Sequence, residues 1–179
     1  MKHNFVIEIF ILTIFLCVIQ SNSDYDYYWR DYDGSIPPDA VSAAYGLYIG
    51  QKFQKCTLIP GSIYSQNQTF IGEYVGKFET KDDVKILCSS RVLKWVTVNM
   101  EKFFYEGNLI PSEYCKLVPG GYQDAGNYRW YIGRVFHENM WKVSKVDLRN
   151  FKALSVWSIN GSYERVKNFE MLVVCKINL

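Results

Sequence analysis

Tyr48-Ile49-Gly50-Gln51 recurs as Tyr131-Ile132-Gly133-Arg134, an offset of 83 positions (48 to 131). The match continues outward at the same offset, with Phe53 against Phe136 and Ile63 against Val146. At an offset of 85, Ile86-Leu87 meets Met171-Leu172. A Trp and an Ile-Pro stand near each copy: Trp29 with Gly34-Ser35-Ile36-Pro37, and Trp95 with Gly107-Asn108-Leu109-Ile110-Pro111. Matches that recur in one order mark an internal repeat, whose copies bury a face they cannot bury alone. The repeats run over about 29–90 and 95–175 and are expected to share one core across a pseudo-two-fold axis.

Around these matches the chain reads as all-β. Short β-branched and aromatic runs alternate with Gly, Pro, Asn and Asp, and no long amphipathic helix is visible. Strands are expected at Leu47–Phe53, Thr69–Phe78, Val84–Ser89, Val92–Asn99, Tyr128–Phe136, Trp141–Asp147, Ala153–Ile159 and Phe169–Ile177. That spacing predicts one β-sandwich or barrel-like domain. Gly72 and Gly76, inside a strand-like run, predict a bulge or a close backbone approach. The stretch from Asp24 to Asp33 mixes acids and aromatics and reads as a ragged end leading into the Trp29 strand.

Composition narrows the function. The 179 residues carry a net charge of +2 with no basic block, which argues against nucleic-acid binding by counterion release. His3 and His137 are the two histidines, too few for a multi-histidine metal site. No nucleophile elbow, phosphate loop or dinucleotide fingerprint occurs, so neither an enzyme nor a cofactor is expected. Aromatic residues reach 17%, which suits β-structure or a sugar-facing surface.

The first 23 residues read as a signal peptide. A short basic start precedes an apolar run from Phe5 to Gln20, and Ser21 and Ser23 have the small-residue spacing of a cleavage site. The run is shorter than a spanning helix needs and Glu8 interrupts it. Residues 24–179 are then a secreted domain without a membrane span. Two sequons, Asn67-Gln68-Thr69 and Asn160-Gly161-Ser162, fit secretion and belong on exposed turns. Cys17 leaves with the signal, and Cys56, Cys88, Cys115 and Cys175 predict two disulfides with three pairings open. Cys88 with Cys175 is favoured because the two lie near matching ends of the repeats.

The order Trp29, Gly34-Ser35-Ile36-Pro37, Ala40-Val41, Leu47-Tyr48-Ile49-Gly50, Pro60-Gly61, Ile71-Gly72-Glu73-Tyr74 and Val84-Lys85-Ile86-Leu87 resembles the DM-nine repeat of invertebrate proteins. The resemblance runs from Trp29 to about Cys175, and the second copy is the more diverged. It implies a compact all-β fold, a homodimer, and mannose-type carbohydrate binding in innate-immune recognition or agglutination. It further implies sugar sites built from a loop acid before the Tyr-Ile-Gly strand and a Lys after Pro-Gly. Repeat one has Ser62 at the Lys position and an acid-free loop, Ala43-Ala44-Tyr45-Gly46, and so reads as a degraded site. Repeat two keeps Lys145, after Val143-Ser144, and a longer loop with Gln123 at the acidic position and Asp124 next to it.

A sugar site of this kind has a direct chemical logic. A carboxylate accepts hydrogen bonds from adjacent hydroxyls, an ammonium donates to them, and an aromatic face covers the apolar side of the ring. The expected ligand-binding residues are Asp124, Lys145, Gln123 and Tyr122, with Tyr128, Trp130 or Trp141 as further faces. Two other readings stand beside the lectin: a secreted carrier of a small apolar molecule in an aromatic-rich barrel, and a module of the same family that has lost sugar binding and works through protein contacts.

Overall fold

The computed structural model describes residues 27–102, 114–123 and 128–176. These form an antiparallel β-sheet structure of sandwich type, with one short helical turn at 100–102. Repeat one supplies β1 (Tyr27–Asp31), β2 (Ser42–Ala44), β3 (Leu47–Gln54), β4 (Thr57–Tyr64), β5 (Thr69–Glu73), β6 (Lys77–Thr80) and β7 (Val84–Ser89). Repeat two supplies β8 (Lys94–Asn99), β9 (Cys115–Leu117), β10 (Pro119–Gln123), β11 (Tyr128–His137), β12 (Met140–Asp147), β13 (Ala153–Trp157), β14 (Tyr163–Val166) and β15 (Asn168–Cys175). The repeats join where β10 pairs with β4, at Tyr122 opposite Leu58. Among the described residues no helix is long and apolar enough to cross a membrane.

The strand registers of the two halves coincide. Tyr48 lies opposite Ile63 as Tyr131 lies opposite Val146. Gly50 lies opposite Ile86 as Gly133 lies opposite Met171. Trp29 faces Leu87 as Trp95 faces Leu172. Each letter of the Tyr-Ile-Gly motif then has a physical reason. Ile49 and Ile132 are fully buried in one cluster that both repeats line. A Cβ on Gly50 would come within 2.6 Å of Phe70 and 2.8 Å of Ile63, and one on Gly133 within 2.6 Å of Val146 and 2.7 Å of Leu154. Those are the same two neighbours in each copy, so glycine is required by close packing rather than by backbone angle.

The fourth letter ties the halves together. Gln51 donates from Nε2 to the carbonyl of Gly120 at 2.6 Å. Arg134, its counterpart, donates to the carbonyl of Ala43. Ala43 and Gly120 hold matching places, since Ser42 faces Tyr48 and Pro119 faces Tyr131. Arg134 also pairs with Glu170 at 2.5 Å and lies between the rings of Trp95 and Trp141. Besides the shared cluster, each repeat has a core of its own: Ile63, Phe70 and Ile86 in one, Val146, Leu154 and Met171 in the other.

Three expectations are corrected. Thr69–Phe78 is not one strand: it turns at Tyr74–Gly76, where Tyr74 N donates to the Gly76 carbonyl, and β5 and β6 form a hairpin. A strand at Thr57–Tyr64 is missing from the expected set and runs through Pro60-Gly61. Glycine at 61 lets β5 approach closely, since a Cβ there would meet the Ile71 carbonyl at 2.5 Å. The cysteine pairing also differs. Cys115 and Cys175 face each other across β9 and β15 and are bonded, while Cys88 is a buried thiol and Cys56 an exposed one. Cys88 does not match Cys175 in position: it bridges to Ala40 as Val173 pairs with Leu117.

Candidate functional site

Lys145 leaves β12 on the face that meets repeat one, at the point where the two layers open to solvent. Along β12, Lys142, Ser144 and Val146 alternate with Val143, Lys145 and Asp147, as the strand period requires. Val143 is pinned from the other repeat by Ser62, whose Oγ accepts from Val143 N at 2.8 Å and donates to Val143 O at 3.2 Å. Two residues further, Lys145 meets the β5–β6 hairpin tip. Here a cleft of about 230 Å³ opens, with Glu73 and Lys145 in its wall.

Glu73 is 2% exposed. The Lys145 ammonium lies 2.9 Å from Glu73 Oε2, close enough for an ion pair but off the direction a hydrogen bond needs. Its hydrogen bond goes instead to the Glu73 backbone carbonyl at 3.0 Å. The charge on Oε2 is therefore balanced while its acceptor capacity is unspent among the described residues. Buried acceptors normally find a donor, and leaving one unmet costs roughly 1–3 kcal/mol. Lys145 also sits 4.5 Å from the Trp130 ring and 5.8 Å from that of Tyr74. Trp130, Phe151 and Tyr163 give the cleft aromatic walls, and Gln123 and Ser155 add neutral polar groups. Val75 forms part of the rim, 84% exposed and at φ 58°, a left-handed conformation that β-branched residues avoid.

The corresponding place in the other half is closed. Register maps Lys145 onto Ser62 and, since Glu73 pairs Lys77 as Trp157 pairs Tyr163, Glu73 onto Trp157. Ser62 is fully buried in its bonds to Val143. Trp157, 2% exposed, fills the space, with the ammonium groups of Lys142 and Lys77 at 3.9 and 4.9 Å from its ring. Lys142 is itself fully buried and bonds Glu138 at 2.5 Å, the Trp157 carbonyl at 3.0 Å and His137 Nδ1 at 3.2 Å. Hydrogen bonds from Lys142, then Ser158, hold the Glu138 carboxyl down at about 2. The charged groups of this cluster are paired with one another, while the Trp157 indole Nε1 has no hydrogen-bond partner among the described residues.

Of the expected ligand residues, the fold brings Lys145 and Gln123 together in the cleft and adds Trp130. Tyr122 is engaged in strand pairing with Arg129 and Leu58 and does not line it. Asp124 lies outside the described residues. Tyr128 lies under Arg149, and Trp141 stacks on Arg134. Glu73 supplies an acid from the opposite repeat; in the sequence, near Lys77 and Lys52, it reads as a solvated strand charge before a polar ligand group, and its burial corrects that order. Its position after Ile71-Gly72 in a run of small and apolar residues was the available signal. Both sequons lie on turns. Asn160 is exposed, its Oδ1 accepting from Ser162 N and Oγ, and its turn abuts the hairpin tip through the Lys77 N to Gly161 O bond at 3.1 Å. Asn67 accepts from Thr69 N at the β4–β5 turn.

No family model and no curated protein matches the sequence. Among solved structures, the crystal structure of the nematode sperm cell motility protein MFP2B aligns with a TM-score of 0.60 at 12% identity. The likeness is one of fold. It covers 87% of this chain and 48% of that one, so this chain spans about half the length of MFP2B.

Proposed function

We propose that this chain is a secreted glycan-binding module of the DM-nine type, holding saccharide in the Glu73–Lys145 cleft. The observation that carries the reading is the buried Glu73 carboxylate, charge-balanced by Lys145 yet with an oxygen that accepts no hydrogen bond among the described residues. That oxygen is sealed from the surface and is reached by a sugar hydroxyl only as the Glu73 and Lys145 side chains shift, whereas the Lys145 ammonium in the cleft wall can donate to hydroxyls directly. Tyr163, which is exposed, offers a face for the ring, and Trp130 backs the Lys145 ammonium. The Cys115–Cys175 disulfide fits an oxidising compartment. A mannose preference and a role in innate recognition follow from the family resemblance. One shallow site per chain binds a monosaccharide at about millimolar strength, near −4 kcal/mol, so agglutination would rely on a dimer for avidity.

The test is glycan-array binding and calorimetry on the mature protein and its Glu73→Gln variant. The change keeps the side-chain shape and the Lys145 bond to the Glu73 carbonyl but leaves the ammonium without its carboxylate, so the melting temperature is read beside the affinity. Losing a charge-assisted acceptor predicts about tenfold weaker binding or worse. Equal affinity in the two proteins contradicts the assignment. Silence across the array favours the module that works through protein contacts.

A further inference from the structure

We infer that the saccharide held in this cleft carries an anionic group, a carboxylate or sulfate, and that Arg165 selects for it. The inference rests on the sugar-binding reading above and adds the ligand's charge. Lys145 lies opposite Ser155, and Ser155 lies opposite Arg165. Residues directly opposite in a sheet share a face, so the three form one row across β12, β13 and β14. At about 4.8 Å per strand, the Cα atoms of Lys145 and Arg165 stand about 10 Å apart. Both residues line the cleft, so one ligand can meet the two cations.

The other charges of the cleft are already engaged. Lys145 pairs with Glu73, and Asp147 Oδ1 accepts from the backbone N–H groups of Arg149 and Asn150 at 2.9 and 2.8 Å. Arg165 has no carboxylate at ion-pair distance among the described residues. Its guanidinium lies 3.5 Å from the Phe151 ring centroid and 5.8 Å from that of Tyr163. Stacking limits its motion and leaves the N–H edge, the part that grips a carboxylate or sulfate in bidentate fashion. The closed half shows what happens without a ligand role. There the matching residue is Glu79, which pairs with Lys77 at 2.5 Å. A neutral sugar would leave the Arg165 edge facing water, whereas an acidic sugar meets it.

The experiment compares glycosides that differ in one group. Methyl α-mannoside and methyl α-mannosiduronate, with methyl β-glucoside and methyl β-glucuronide beside them, are titrated into wild type and Arg165→Gln at low and high salt. In wild type the uronates should bind about tenfold tighter than their neutral partners, with the advantage shrinking at high salt. In Arg165→Gln that advantage should vanish while neutral-sugar affinity and melting temperature stay unchanged. Equal affinity within each pair, or a preference that survives in Arg165→Gln, overturns the role of Arg165 and leaves the sugar reading standing. Failure of all four glycosides to bind wild type overturns both.

Discussion

The two halves of this molecule share a register and differ in what that register holds. Of two places related by the pseudo-two-fold, each built from both repeats, one has Lys145, Glu73 and Arg165, and the other has Ser62, Trp157 and Glu79. The packing letters, by contrast, are kept or replaced in kind: Ile49 and Ile132, Gly50 and Gly133, Trp29 and Trp95. Each of those sits in a contact that its copy repeats, so a change would be felt in the core. The site letters face an opening, where a Trp can close what a carboxylate and an ammonium keep open. Fold and site are thus under separate constraints even when they lie two residues apart on one strand.

The largest effect expected from breaking this comparison is the loss of its one covalent asymmetry. The Cys115–Cys175 bond closes a 60-residue separation in repeat two, while the matching positions of repeat one, Pro38 and Ser90, carry no cysteine. Cys115→Ser with Cys175→Ser should cost about 4 kcal/mol, a fall of roughly 10 °C in melting temperature. Next is the pair that crosses between repeats. Arg134→Ala gives up the Glu170 ion pair and two ring contacts as well as the Ala43 carbonyl, and should cost about 3 kcal/mol. Gln51→Ala gives up one bond to Gly120, about 1 kcal/mol. Chemical denaturation of both variants reads the difference, and equal losses would contradict the asymmetry.

Gly50→Ala and Gly133→Ala should cost similar amounts, about 1–3 kcal/mol each by overpacking, because the added methyl meets the same pair of neighbours in either half. A large inequality between them would show that the two cores are not equivalent. The smallest effect is in acid. Glu138 is held at about 2 in the folded chain, below its ordinary value of 4.5, so it contributes stability above pH 4.5 that is lost as pH falls toward 2. The matching residue in repeat one is Lys55, at the same left-handed turn position (φ 46° against 51°). Glu138→Gln should flatten the fall of the urea midpoint between pH 4.5 and 2, and Lys55→Gln should not.

Much of the fold was legible because periodic patterns are local. The offsets of 83 and 85 reappear as strand registers, and β7 runs over the residues expected, Val84–Ser89. Gly72 makes the close approach its place in a strand predicted, with Phe78 2.7 Å from an added Cβ. What failed to show was set by distant contacts. The Thr57–Tyr64 strand was missing from the expected set, and the Ile71 carbonyl that makes Gly61 fit there lies on another strand. Glu73 looks like a surface charge until Lys145, 72 positions away, is brought against it. Lys145 was singled out by the family resemblance, whereas the acid beside it comes from across the pseudo-two-fold axis, where a single repeat's loop gives no hint.

The most direct test of the account is to follow the indole N–H signals of Trp130 and Trp157 by nitrogen-15 NMR during titration with methyl α-mannosiduronate. Assignment comes from Trp130→Phe and Trp157→Phe. Trp130 lines the open cleft and Trp157 fills its closed counterpart. The Trp130 signal should move and saturate while the Trp157 signal stays in place. Movement of Trp157 with Trp130 unchanged, or stillness of both at tens of millimolar ligand, would contradict it.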